Sequence, residues 1–277
     1  MNEQKEPYIF VVGNEKGGAG KTTCAMHLII GLLDNGYKVA SVDADSRQHS
    51  LTTYINNRKA YNLKNRDYKV AMSLHFHLQE SRQASLFEKE KEENLQFTDV
   101  LKQAKNHADF IVIDTPGNHT YFSRLAHSYA NTIITPINDS FVDLDVIAKI
   151  EGDKLDSGKP SIYSQMVWEQ KMERAGRDGK SINWVLVRNR LSNIDAHNKR
   201  NVGEALEKLS KRIAFTIAPG FSERVIFREL FPYGLTLLDL TKANFHKSLS
   251  ISHIAARQEL RDFMDCLGIR SLNQAEI

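Results

Sequence analysis

The chain has 277 residues, 41% of them hydrophobic and 26% charged, with a net charge of +3. That balance is ordinary for a globular protein with a sizeable core, and two cysteines, Cys24 and Cys266, exclude a disulfide framework or a four-cysteine zinc site. The polar start Met1–Pro7, and the lack of any uninterrupted run of about 18–20 apolar residues, predict a cytoplasmic protein with reduced thiols.

Tyr8–Gly13 (YIFVVG) is a β-branched and aromatic run that predicts a first strand, and Lys21–Asp34 has helical spacing. Lys38–Asp43 reads as a second strand and Val70–Leu78 as a third. Ser85–Glu93 is highly charged and lacks an apolar stripe, which predicts a solvated helix or loop before an amphipathic helix at Phe97–His107. Phe110–Asp114 and Thr132–Pro136 are buried-type strands. Ser157–Gly179 departs from the alternation and predicts a helical insertion, its helix around Ser161–Arg174. Trp184–Val187 and Ala214–Ile217 return to the strand pattern. Between them Asn198–Arg212 reads as a helix with the stripe Val202, Ala205, Leu206 and Leu209. A last helix spans about His253–Leu267. Apolar strands separated by helices predict an α/β fold: a doubly wound, mostly parallel sheet with helices on both faces, in one domain over residues 1–277.

The strongest chemical signal is the run from Gly13 to Thr23, GNEKGGAGKTT, between the first strand and the first helix. Gly17, Gly18 and Gly20 let the backbone, Ala19 included, approach phosphates closely. The N–H groups of the loop and of the helix start at Lys21, Thr22 and Thr23 then point at the anion. Lys21 would contact the β- and γ-phosphates and the Thr22 hydroxyl would ligate Mg²⁺. The standard spacing requires Gly at position 15, where this chain has Glu, and a second lysine, Lys16, precedes the glycine pair. Two acidic strand ends complete the set: Asp43-Ala44-Asp45 and Asp114 after the apolar run FIVID.

This deviant loop, K-G-G-x-G-K-[ST], resembles that of the ParA/MinD family of P-loop ATPases. The resemblance implies ATP and Mg²⁺ as cofactors and the P-loop NTPase version of the fold. It implies that Lys16 reaches across an ATP-dependent homodimer to the partner's phosphates. Asp45 would position the attacking water and respond to the γ-phosphate, and Asp45 and Asp114, with Thr22, would hold the Mg²⁺ shell. In such proteins an Asn following a strand contacts adenine; Asn189, after Val187-Arg188, takes that place, with a strand-end cap as the plain alternative.

Within this family the remaining segments are specific. Pro136–Asp143 (PINDSFVD), Lys159–Ser164 (KPSIYS), Arg188–Leu191 (RNRL), Arg224–Pro232 (RVIFRELFP), Gly234–Leu240 (GLTLLDL) and His253–Arg261 (HIAARQELR) resemble the MipZ branch, ATPases that position the division plane. The likeness runs from about Tyr8 to Gly268. It implies a monomer that binds the ParB chromosome-partition protein at the poles. It also implies an ATP dimer, associated with the nucleoid, that binds DNA without sequence preference, inhibits FtsZ assembly and hydrolyses ATP slowly. A ParA-type chromosome or plasmid partition ATPase is the alternative. More distant readings are a metabolic P-loop ligase and a nucleotide-gated scaffold.

Other branches do not match. Cys24 and Cys266 are not placed to bridge a cluster, and the tail Ser271–Ile277 has no tyrosine. The last helix carries Arg257, Glu259, Arg261, Asp262 and Asp265, a mixed face rather than a polybasic anchor, so membrane insertion is not expected. From Lys180 to Glu229 ten Lys and Arg face five Asp and Glu, a local basic surface suited to phosphates. The candidates for DNA contact are Lys199, Arg200, Lys208, Lys211 and Arg212 on one helix, and Arg224 and Arg228, four apart, on the next. His75-Phe76-His77 places two histidines on one side of a strand, without a third ligand nearby in sequence. Trp168 and Trp184 read as packing residues, and Asn118–Tyr121 as a second switch.

Overall fold

A computed structural model describes residues 6–149, 159–191, 196–241, 243 and 250–269. Nine strands and nine α-helices occur among them. In chain order they are β1 (Tyr8–Val12), α1 (Lys21–Asp34), β2 (Val39–Asp43), α2 (Ser50–Lys64), β3 (Leu74–His77), α3 (Leu86–Lys105), β4 (Phe110–Asp114), α4 (Tyr121–Tyr129) and β5 (Thr132–Asn138). There follow α5 (Phe141–Leu144), β6 (Ala148–Lys149), β7 (Lys159–Pro160), α6 (Ile162–Asp178), β8 (Asn183–Asn189), α7 (Ala196–Ile213), β9 (Thr216–Ala218), α8 (Ile226–Leu230) and α9 (Ile251–Cys266).

Seven strands form one sheet in the order β3-β2-β4-β1-β5-β8-β9. Every pairing in it is parallel. Central strands of such a sheet are covered on both faces, which is why β1 and β4 are almost continuously apolar. Alternate residues then serve opposite layers. Ile9 and Val11 join the core under α3, α4, α6 and α7. Phe10 and Val12 join the core under α1, α2 and α9.

Several expectations are corrected by packing. The charged run 85–93 is not among them: it is the solvated helix expected, the first half of the 20-residue α3, with Glu93 its buried exception, accepting from the Ser81 amide at 3.0 Å. α6 is no appended insertion. It is the crossover helix between β5 and β8, with Tyr163, Met166 and Val167 in the core; residues 157 and 158 of the expected segment, and the tail 271–277, lie outside the described residues. The third strand is shorter than the run 70–78, and β9 lies slightly after 214–217. α2 is polar by composition, yet Leu51, Tyr54, Ile55, Arg58 and Tyr61 bury one of its faces. Trp184 packs in the core, its indole donating to Thr135 Oγ1 at 3.0 Å, whereas Trp168 is exposed.

Two histidines are sealed inside. The Nδ1 of His27 bonds the Thr23 carbonyl at 2.8 Å, and that of His127 bonds the Ser123 carbonyl at 2.7 Å. Burial pushes each imidazole down to about 4. The unfolded chain, titrating near ~6.5, binds more protons in the window between. These groups therefore contribute full stability above about pH 6.5 and lose it as the pH falls toward about 4. Calorimetry should show a melting temperature that falls across this window, with a shallower slope in His127→Gln. An unchanged slope in that variant would rule out His127 as a contributor.

Candidate functional site

The ends of β1, β2 and β4 meet at one edge because the register sets both Val12 and Asp43 opposite Asp114. From β1 the chain turns through Gly13–Gly20 into α1. Gly18 and Gly20 take φ of +75° and +89°, a region where side chains are strained. A Cβ on Gly20 would also stand 2.2 Å from Asn189 Nδ2, which donates to the Ala19 carbonyl at 2.9 Å. Asn14 braces the loop from within. Its Nδ2 donates to the Pro136 carbonyl and its Oδ1 accepts from the Lys16 amide, both at 2.6 Å. Tyr163 donates to the Gly13 carbonyl at 2.8 Å.

Lys21 curls over the loop and donates to the Lys16 carbonyl at 3.1 Å. Burial lowers its pKa, and Asp114 and Asp45 act against that shift. Thr22 Oγ1 donates to Asp114 Oδ2 at 2.6 Å, while the Oδ1 of Asp114 is buried with no hydrogen-bond partner. Burial raises the pKa of this carboxyl, opposed by the bond from Thr22. A hydroxyl beside a carboxylate with one unsatisfied oxygen is a donor set that suits a hard divalent cation, so Mg²⁺ fits these residues. The loop after β4 presses on the same place: a Cβ on Gly117 would meet Lys21 Nζ at 3.2 Å and the Gly17 amide at 3.4 Å.

Asp45 lies two residues beyond β2. Its Oδ1 accepts from the Arg47 and Gln48 amides at 3.1 and 3.0 Å. Asp43 anchors that turn, accepting from the Asp45 amide at 3.0 Å and from the amide and hydroxyl of Thr52 at 2.8 Å each. Lys16 pairs with Asp143, a buried carboxylate on α5. Motif reading passed over Asp43 and Asp143 as site residues, although Asp143 closes the PINDSFVD run.

Beside the loop opens a cavity of about 90 Å³ between Gly20, Thr23 and His27 on one side and Asn189, Ser222 and Arg224 on the other. Cys24 lines it too, and burial pushes that thiol up to about 12, so it is an inert wall residue. Asn189 thus faces the cavity while its amide nitrogen is engaged with the P-loop.

The basic candidates divide. Arg200, Lys208, Lys211 and Arg212 are exposed on α7, whose Val202, Ala205, Leu206 and Leu209 are buried. The side chain of Lys199 lies outside what is described. Arg228 is exposed on α8. Arg224 precedes that helix rather than lying on it, and it is ion-paired to Glu259. His75 meets Ser41 Oγ at 2.9 Å and Thr52 Oγ1 at 3.0 Å, which occupies both ring nitrogens. Residues 118–120 connect Gly117 to α4, and the Thr120 hydroxyl caps that helix by accepting from the Ser123 amide. Among the described residues no helix is long and apolar enough to cross a membrane.

A family model described as ATPase MipZ matches residues 8–271. The chain belongs to the MipZ family. It is a ParA/MinD-type P-loop ATPase with the expected sheet and helix layers. Solved structures share this MipZ chain's fold at low identity. The apo form of McdA from Cyanothece is 19% identical over 91% of this chain and 99% of that one, with a TM-score of 0.60. A plasmid partition protein from Borrelia burgdorferi bound to AMPPNP is 17% identical over 94% and 99%, at 0.56. The septum-site-determining protein MinD from Pyrococcus horikoshii, complexed with Mg-ADP, is 17% identical over 95% and 97%, also at 0.56. No curated protein matches the sequence.

Gly20→Ala combines left-handed strain with a collision against Asn189. It should weaken nucleotide binding by at least about tenfold, equivalent to about 1.4 kcal/mol, and lower the melting temperature. Titration with a fluorescent ATP analogue and a thermal melt check both, and unchanged binding would show that the loop tolerates a Cβ there.

Proposed function

We propose that this protein is an ATP-dependent dimerisation switch that positions the division plane. In this reading the monomer binds a ParB-type partition protein. The ATP dimer binds DNA without sequence preference and restrains FtsZ assembly until slow hydrolysis releases it. The observation that carries the reading is the pair of lysines in one loop: Lys21 folded back onto the loop, Lys16 held apart from it by Asp143. Family membership across residues 8–271 supports it.

The roles follow from the donor set. Backbone N–H groups of Gly17–Lys21 cradle the phosphates and Lys21 offsets their charge. Thr22 and Asp114 would hold Mg²⁺, which when bound would supply charge neutralisation at the terminal phosphoryl group. Asp45, steadied by Asp43, orients the attacking water. Thr23 and Asn189 contact the nucleotide beside the cavity. Lys16 leaves Asp143 to reach the second protomer's phosphates, whose mutual repulsion otherwise opposes dimerisation. Without a γ-phosphate that attraction weakens and the dimer separates. The exposed basic residues of α7, with Arg228, supply phosphate contacts, doubled by dimerisation and steeply salt-dependent.

A ParA-type partition ATPase is the second reading, favoured by the likeness to a plasmid partition protein. FtsZ assembly followed by sedimentation separates the two. Fewer or shorter filaments with ATP, and with ATP plus Asp45→Ala, but none of this effect with ADP, is the expected result. No effect in any state, with dimerisation intact, would favour partition. Lys16→Ala should abolish ATP-dependent dimerisation in analytical ultracentrifugation while ATP still binds. Asp143→Asn should shift the monomer–dimer balance toward the dimer, and a shift the other way would deny Asp143 a holding role.

A further inference from the structure

The wall of the cavity opposite the P-loop is a short segment with an unusual anchor. Residues 221–224 run alongside the end of β8. The Phe221 amide donates to the Arg188 carbonyl, the Leu191 amide to the Phe221 carbonyl and the Glu223 amide to the Leu191 carbonyl. Phe221 is set into the core against Phe263 at 5.2 Å between centroids. Beyond it, both oxygens of Glu259 on α9 are committed to this segment. They accept from the Ser222 amide at 3.1 Å, the Ser222 hydroxyl at 2.7 Å and both terminal nitrogens of Arg224. Burial alone would raise the Glu259 carboxyl, and the bonds from Arg224 and Ser222 outweigh it and hold it below the usual range.

This arrangement is more than a brace. Arg224 lines the cavity and is only 12% exposed, so its guanidinium would otherwise be a partly buried cation facing the space beside Thr23 and Asn189. A fork of N–H donors aimed there would suit the O6 and N7 acceptors of guanine. The bidentate pairing with Glu259 turns those donors away and neutralises this guanidinium. We propose that Glu259 is a positioning residue for base preference, fixing Ser222 and Arg224 so that the cavity takes adenine rather than guanine. This rests on the reading of the cavity as the seat of the nucleotide base.

The test compares three magnesium-bound probes on the full chain by calorimetric titration: ATP, GTP and inorganic tripolyphosphate, which has the phosphates and no base. The wild-type protein should bind ATP more tightly than GTP, and tripolyphosphate most weakly. Glu259→Gln should weaken ATP about tenfold, narrow the ATP-to-GTP ratio and leave tripolyphosphate within about twofold. Added to Glu259→Gln, Arg224→Gln should take back the gain in GTP; alone, where Glu259 keeps its bonds to Ser222, it should preserve the ATP preference, and loss of that preference in this single variant would overturn the proposal even if Glu259→Gln folds poorly. Equal weakening of all three probes would reduce Glu259 to a structural brace and overturn the proposal. An unchanged ATP-to-GTP ratio would do the same. Wild-type ATP binding no tighter than tripolyphosphate would instead show that the cavity does not hold the base, and the proposal would fall with that reading.

Discussion

Two groups far apart in sequence must meet for this site to exist, and the parallel pairing of β1 with β4 is what makes them meet. That register sets Val12 level with Asp114. One loop later the first turn of α1 delivers the Thr22 hydroxyl to Asp114 Oδ2 across 92 positions of sequence. Every other functional group is placed relative to this contact. β2 pairs on the far side of β4 with Asp43 level with Asp114, so the Asp45 turn starts from the same edge. A slip of one residue would carry Asp114 to the wrong face of its strand and replace an apolar core position with a carboxylate.

The edge gathers like charges, and each is handled by a different device. Asp43 is fully buried and satisfied by hydrogen-bond donors alone, from Thr52 and the Asp45 backbone. Asp143 is buried against a cation, Lys16. Asp114 has one oxygen engaged and one unsatisfied, which leaves it the least compensated carboxylate of the three. The two lysines of the loop are likewise separated, one against a backbone carbonyl and one against Asp143. Such separation keeps their repulsion small while leaving both within reach of phosphates.

The C-terminal third walls the cavity beside the phosphate loop. Arg58 on α2 is fully buried and makes a bidentate pair with Asp239 at 2.7 Å, while also donating to the Gly234 carbonyl at 2.9 Å. Gly234 is required there by its positive φ and because a Cβ would stand 2.0 Å from the Arg58 backbone nitrogen. This clamp fixes the chain that brings Leu237 to the cavity, as Glu259 fixes the segment opposite. A cavity so walled from several elements has a defined shape before any ligand enters, which lowers the ordering cost of binding.

Much of this was legible locally. The glycines and lysines of GNEKGGAGKTT, the continuous apolar strands β1, β4 and β5, and the stripe of α7 each express their structure through near neighbours, so the sequence by itself determined the sheet class and the phosphate loop. Where partners are distant, local pattern misled. The charged run 85–93 is solvated as it reads except at Glu93, which is buried where it meets the Ser81 amide, 12 residues away. α6 reads as an insertion because its polar outer face hides the buried Tyr163 and Val167. Arg224 reads as a surface cation because Glu259, its counter-ion, is 35 residues away. Charge and glycine spacing declare chemistry directly, whereas which carboxylate meets which cation is decided only when the sheet closes and brings separated strands' ends to one edge.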